Sequence, residues 1–96
     1  MSIAETLATK RDEILRVASR HKASNVRVFG SIARGEARLE SDVDFLVEFE
    51  PRSTLLDHAA LVRELRDLIG SEVDVVSDEG LRPRMRDRVL REAVPL

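Results

Sequence analysis

Residues 30–44 read Gly-Ser-Ile-Ala-Arg-Gly-Glu-Ala-Arg-Leu-Glu-Ser-Asp-Val-Asp. Gly30-Ser31 is followed, ten residues later, by Asp42-x-Asp44. Each half suits one part of a phosphoryl-transfer site. Glycine permits unusual backbone angles and close approach of another group. Backbone N–H groups opening a helical turn have no internal partner and favour an anion. Ser31 adds a hydroxyl donor, and Arg34 a permanent positive charge that grips phosphate bidentately. Two carboxylates at i and i+2 of a strand share one face and repel unless a cation sits between them. A Mg²⁺ ion held by one or two carboxylates plus substrate phosphates is the usual arrangement where nucleotides are handled.

Asp74 is a third candidate. It interrupts Val73-Asp-Val-Val76, although aspartate is disfavoured in strands. With Val73 and Val75 facing a core, Asp74 points the other way. If its strand neighbours that of Asp42 and Asp44, three carboxylates can converge, and two metals held there can activate a hydroxyl and stabilise a leaving pyrophosphate. Each signal alone has a plain structural counterpart. The Gly-Ser pair also reads as a strand-to-helix turn, the Asp pair as a solvated strand start, and Asp74 as an exposed edge residue.

The elements that must position these residues follow from hydrophobic period. Ser2-x-x-Glu5 is a capping-box pattern. Ile3, Leu7, Ile14, Leu15 and Ala18 recur at roughly helical spacing, which predicts one helix over 3–20. Val26 and Val28 alternate with polar neighbours in a short strand ending at Gly30. Residues 31–34 suit one helical turn, and 35–41 an exposed loop. Val43, Phe45, Val47 and Phe49 form the clearest strand, closed by Pro51, with Asp42 and Asp44 on the face opposite the Val/Phe set. An amphipathic helix over 55–69 stops at Gly70. A strand follows over 72–76, then a last helix over 81–94 with Pro83 in its first turn, Pro95 ending it, and Met85, Val89, Leu90 and Ala93 inward. The order α-β-turn-β-α-β-α predicts an α/β (α+β) fold, a small mixed β-sheet with helices packed largely on one face.

Composition narrows the function. The chain has 96 residues, the length of one domain (1–96), with 43 % hydrophobic residues but only three Phe and no Trp or Tyr. Charged residues are 35 % and the formal net charge is −2, which gives no general pull toward nucleic acid or an anionic membrane. No cysteine is present, which excludes disulfides and thiolate metal sites. No signal peptide and no run of about 18 apolar residues is found, so a soluble cytoplasmic protein is expected.

Gly30-Ser31, ten residues, Asp42-x-Asp44, then a lone Asp on a later strand resembles the DNA polymerase β-type nucleotidyltransferase superfamily. The short length and the run Gly-Ser-x-Ala-Arg-Gly resemble its minimal nucleotidyltransferases, and the resemblance covers most of the chain. It implies that Gly30 and Ser31 bind the triphosphate, with Arg34 assisting. It implies that Asp42 and Asp44 hold Mg²⁺ or Mn²⁺, and that Asp74 assists the incoming hydroxyl as metal ligand or base. The position after Ser31 is often basic in similar proteins and is Ile32 here. Many minimal members are antitoxins of HEPN-domain RNase toxins, and some transfer AMP from ATP to a toxin tyrosine, as in a type VII-like pair. The expected substrate is therefore ATP and the expected partner a HEPN toxin in a hetero-oligomer. With no tyrosine in the chain itself, such an acceptor must lie on that partner.

Two other functions fit the same residues. One is a non-catalytic antitoxin that neutralises a HEPN RNase by binding; the other transfers a nucleotide to a small molecule. The last helix carries Arg82, Arg84, Arg86, Arg88 and Arg91, diluted by Asp87 and Glu92, and reads as a solvated face or a contact for RNA, phosphates or an acidic partner. His21 and His58 have no second ligand at metal-binding spacing and read as structural or surface residues.

Overall fold

A computed structural model describes residues 2–35 and 42–96. Along the chain come α1 (Ile3–Thr9), α2 (Arg11–Arg20), β1 (Ala23–Phe29), β2 (Val43–Phe49), α3 (Leu55–Ile69), β3 (Val73–Ser77), a 3₁₀ turn (Asp78–Gly80), α4 (Pro83–Glu92) and β4 (Val94–Pro95). The strands form one mixed sheet in the order β3-β2-β1-β4, with β2 parallel to β3 and β1 antiparallel to both β2 and β4.

The strong alternation of β2 puts it at the centre. Val43 and Phe45 are 0 % exposed, and they join Val26, Val28 and Val75 in one hydrophobic cluster. Ile3 and Leu7 of α1, Ile14, Val17 and Ala18 of α2, and Leu61, Leu65 and Ile69 of α3 complete it. Three helices thus share one face of the sheet, as expected.

The last helix is tied to the other face. Arg27 pairs in register with Leu46, on the side opposite the main cluster. It forms a 2.7 Å ion pair with Asp78, whose carbonyl accepts a 2.8 Å hydrogen bond from Arg86 of α4. Leu46 and Val89 are buried yet stand outside the main cluster. The expected inward set of α4 is corrected here: Val89 is buried, whereas Met85 and Leu90 are exposed.

The single helix expected over 3–20 is two, separated at Lys10. The break is held by partners remote in sequence. Lys10 Nζ donates to the carbonyl of Leu68 (2.6 Å), and Arg11 Nε to that of Leu96 (2.8 Å). The strand β1 begins earlier than its alternation suggests, because an irregularity between Ser24 and Arg27 breaks the period. Asn25 takes the left-handed backbone there, φ 48°. The strand β4 was not expected: Val94 pairs with Val28 and Pro95 with Arg27. The helix at 55–69 has its expected bounds, set by a Thr54–Asp57 capping box and a left-handed Gly70. The loop expected over 35–41 lies outside the described residues beyond Gly35.

Candidate active site

The Gly30 turn, Asp44 and Asp74 lie at one end of the central strands. Phe29, the last residue of β1, pairs in register with Asp44, and on the far side Asp44 pairs with Asp74 of the parallel β3. The sheet order therefore lays the glycine turn, Asp44 and Asp74 side by side. The condition set by sequence, that the Asp74 strand neighbour the Asp44 strand, is met.

Gly30 takes φ 75°, a conformation that L side chains rarely adopt. A Cβ built there would overlap Oδ2 of Asp44, closer than any real Cβ contact. The glycine is thus required twice, by its backbone angle and by the carboxylate against it. The chain then makes one helical turn: Arg34 N–H donates to Gly30 C=O at 3.1 Å, and Gly35 N–H to Ile32 C=O at 3.1 Å. Ser31 and Ile32 are half-buried at its start.

Asp44 is half-buried, while Asp42 and Asp74 are exposed. Burial pushes the Asp44 carboxyl above its ordinary value, the negative charges of Asp74 and Asp42 push it further, and Arg34 pulls it back. The three aspartates and the arginine are thus within electrostatic reach of one another. Arg34 also forms a 3.2 Å ion pair with Glu92 in the last turn of α4. Sequence reasoning missed Glu92, which there reads only as an acid diluting a basic helix; no local signal marks it.

The donor set of Asp42, Asp44 and Asp74 is all hard oxygen, which suits Mg²⁺ or Mn²⁺. Among the described residues, no three acidic, histidine or cysteine side chains stand close enough to hold a metal ion as they are. Like charges repel, and two of the three carboxylates are exposed, so packing does not force them together. The histidines are engaged elsewhere, as expected of structural residues. His21 pairs with Glu64, and His58 Nε2–H donates to the Val75 carbonyl at 2.8 Å while its ring stands 5.2 Å from that of Phe49. No helix among the described residues is long and apolar enough to cross a membrane.

Comparison with known proteins agrees with the fold. A protein of solved structure described as a minimal nucleotidyltransferase superposes with a TM-score of 0.89 at 56 % identity, covering 100 % of this chain and 97 % of the other. A chain of a toxin–antitoxin crystallised with AMP-PNP superposes with a TM-score of 0.74 over 91 % of this chain and 69 % of its own. At 22 % identity that likeness speaks to the fold alone. The protein adenylyltransferase MntA of Thermococcus cleftensis is 40 % identical over 90 residues, 94 % of this chain and 89 % of the relative. The sequence profile of the family described as "Nucleotidyltransferase domain" matches residues 11–96. The fold is that of the polymerase β-type minimal nucleotidyltransferases, and the chain belongs to the nucleotidyltransferase domain family.

Proposed function

We propose that this chain transfers AMP from ATP to a hydroxyl of a partner protein, a tyrosine of a HEPN-domain toxin, and so acts as the antitoxin of the pair. The observation that carries the reading is the packing of the Gly30 backbone against the Asp44 carboxylate, with Asp74 next in register. The glycine turn lies beside Asp44 and Asp74, which supports reading it as the phosphate site of those carboxylates. The relative named protein adenylyltransferase supports transfer to protein. The antitoxin role is proposed because that relative shares the name MntA with a chain of a toxin–antitoxin complex that has this fold.

In this reading the N–H groups after Gly30, the Ser31 hydroxyl and the Arg34 guanidinium hold the triphosphate. The acceptor oxygen forms a bond to the α-phosphorus as the α–β bridging P–O bond breaks and pyrophosphate leaves. The hydroxyl proton passes to a carboxylate, Asp74 being the one on the exposed edge strand, open to a partner. Asp42, Asp44 and Asp74 would hold Mg²⁺ or Mn²⁺, which when bound neutralises phosphate charge and lowers the pKa of the attacking hydroxyl. The protein's own contribution is positioning and fixed charge.

The test is mass spectrometry of a cognate HEPN protein after incubation with this chain, ATP and Mg²⁺. The reading predicts addition of one or more AMP masses on a tyrosine, loss of the shift on chelation with EDTA, and loss with Asp42→Ala/Asp44→Ala. An unmodified partner that is nonetheless neutralised by Asp44→Ala would establish the binding-only antitoxin instead.

A further inference from the structure

The two-residue pairing of β4 has a consequence at the nucleotide turn. Val94 lies beside Val28 and Pro95 beside Arg27, so the chain just before β4 runs alongside the end of β1 where the Gly30 turn begins. Glu92, last residue of α4, is placed there. Its Oε2 meets Arg34 Nη1 at 3.2 Å, and its Oε1 stands 3.8 Å from Arg88 Nε, one helical turn back. The Glu92 side chain is 24 % exposed and that of Arg34 40 %, whereas Arg88 is well solvated. The acid is thus the most enclosed member of the group.

Glu92 is one group that holds Arg34. Arg34 sits on a single helical turn rather than a long helix. An unrestrained arginine has many rotamers, and binding a phosphate would have to select one of them. A guanidinium presents five donors in a rigid fork, so it can serve more than one anion at once. The same side chain lies near enough to Asp44 to act on its charge.

We propose that Glu92 is a positioning residue for the nucleotide: it pre-orders the Arg34 guanidinium beside the Gly30 turn, ready for a phosphate of the incoming nucleoside triphosphate. The proposal rests on reading the Gly30–Arg34 turn as the phosphate site. It assigns the C-terminal segment, α4 and β4, a part in nucleotide affinity.

Calorimetric titration of the full chain with AMP-PNP and Mg²⁺ tests it without requiring turnover. Glu92→Ala should weaken Kd roughly three- to fivefold, the range of a partly exposed ion pair. Glu92→Gln should recover part of the loss, because its amide oxygen still accepts from the guanidinium. In an Arg34→Ala background, Glu92→Ala should have no further effect, whereas a merely structural role would cost the same in both backgrounds. Unchanged or tighter binding by Glu92→Ala, or equal losses in the two backgrounds, would overturn the proposal. Failure of the wild-type chain to bind AMP-PNP would overturn the phosphate-site reading and this proposal with it. A failure of AMP transfer with the coupling intact would overturn the enzymatic reading alone.

Discussion

Gly30 and Asp44 are packed directly against each other. A methyl group at position 30 would meet the Asp44 carboxylate and would also sit at a positive φ. Gly30→Ala should therefore destabilise the fold by about 1–2 kcal/mol and lower AMP transfer by roughly 100-fold, since small displacements of a reacting group carry large rate penalties. Thermal melts and initial rates read the two effects separately. Asp44 makes a second prediction. Its folded carboxyl is held above the ordinary 3.8, so the folded state binds that proton more tightly than the unfolded chain does. The corresponding stability is fully present below the unfolded value and is lost as pH rises through the raised folded one. At neutral pH the ionised Asp44, opposite Asp74, is a liability to the fold. Asp44→Asn should melt roughly 2–4 °C higher than wild type at neutral pH, and the gap should close on acidification toward the ordinary carboxyl range. A variant that melts lower at neutral pH would contradict this.

The elements differ in how openly the sequence declares them. Helix α3 is legible to the residue because its signals are local: Thr54 accepts from the Asp57 N–H, Asp57 accepts from the Thr54 N–H at 2.9 Å, and Gly70 adopts φ 78°. Thr54→Ala should cost about 1 kcal/mol, visible as a lower denaturant midpoint with an unchanged slope. The strand β2 is legible because it is central, buried on one face and free of breaks. Of the candidate site, the Gly-Ser turn and the three aspartates were legible from residue type, spacing and the period of two. Whether they met depended on β2 pairing with β3, which no local pattern fixes. What stayed hidden depends on distant partners. The break at Lys10 answers to Leu68 and Leu96, the start of β1 to an irregular stretch at Asn25, and β4 to a sheet edge offered by β1. Met85 and Leu90 fit a helical period and are nonetheless exposed, because α4 buries only a narrow strip around Val89.

On the scale of the whole molecule, the sheet divides the labour. One face carries α1, α2 and α3 and most of the buried apolar residues. The other carries Asp44, Arg27 and Leu46, with α4 tied across it through Asp78 and Glu92. The part-buried Arg27–Asp78 pair, with side chains 13 % and 19 % exposed, should matter more than the surface pairs. Arg27→Ala strands Asp78 and should destabilise by about 2 kcal/mol in urea unfolding, whereas Arg88→Ala, in a well-solvated pair with Glu92 one helical turn on, should shift stability by less than about 0.5 kcal/mol. The chain lacks tyrosine, so a tyrosine acceptor belongs to another molecule, and the proposed reaction joins two proteins. The most direct measurement is the intact mass of the proposed HEPN partner after incubation with ATP, Mg²⁺ and either wild type or Asp44→Asn. The account predicts AMP added to a partner tyrosine by wild type and none by the variant. A partner left unmodified by wild type, or modified equally by both, would contradict it.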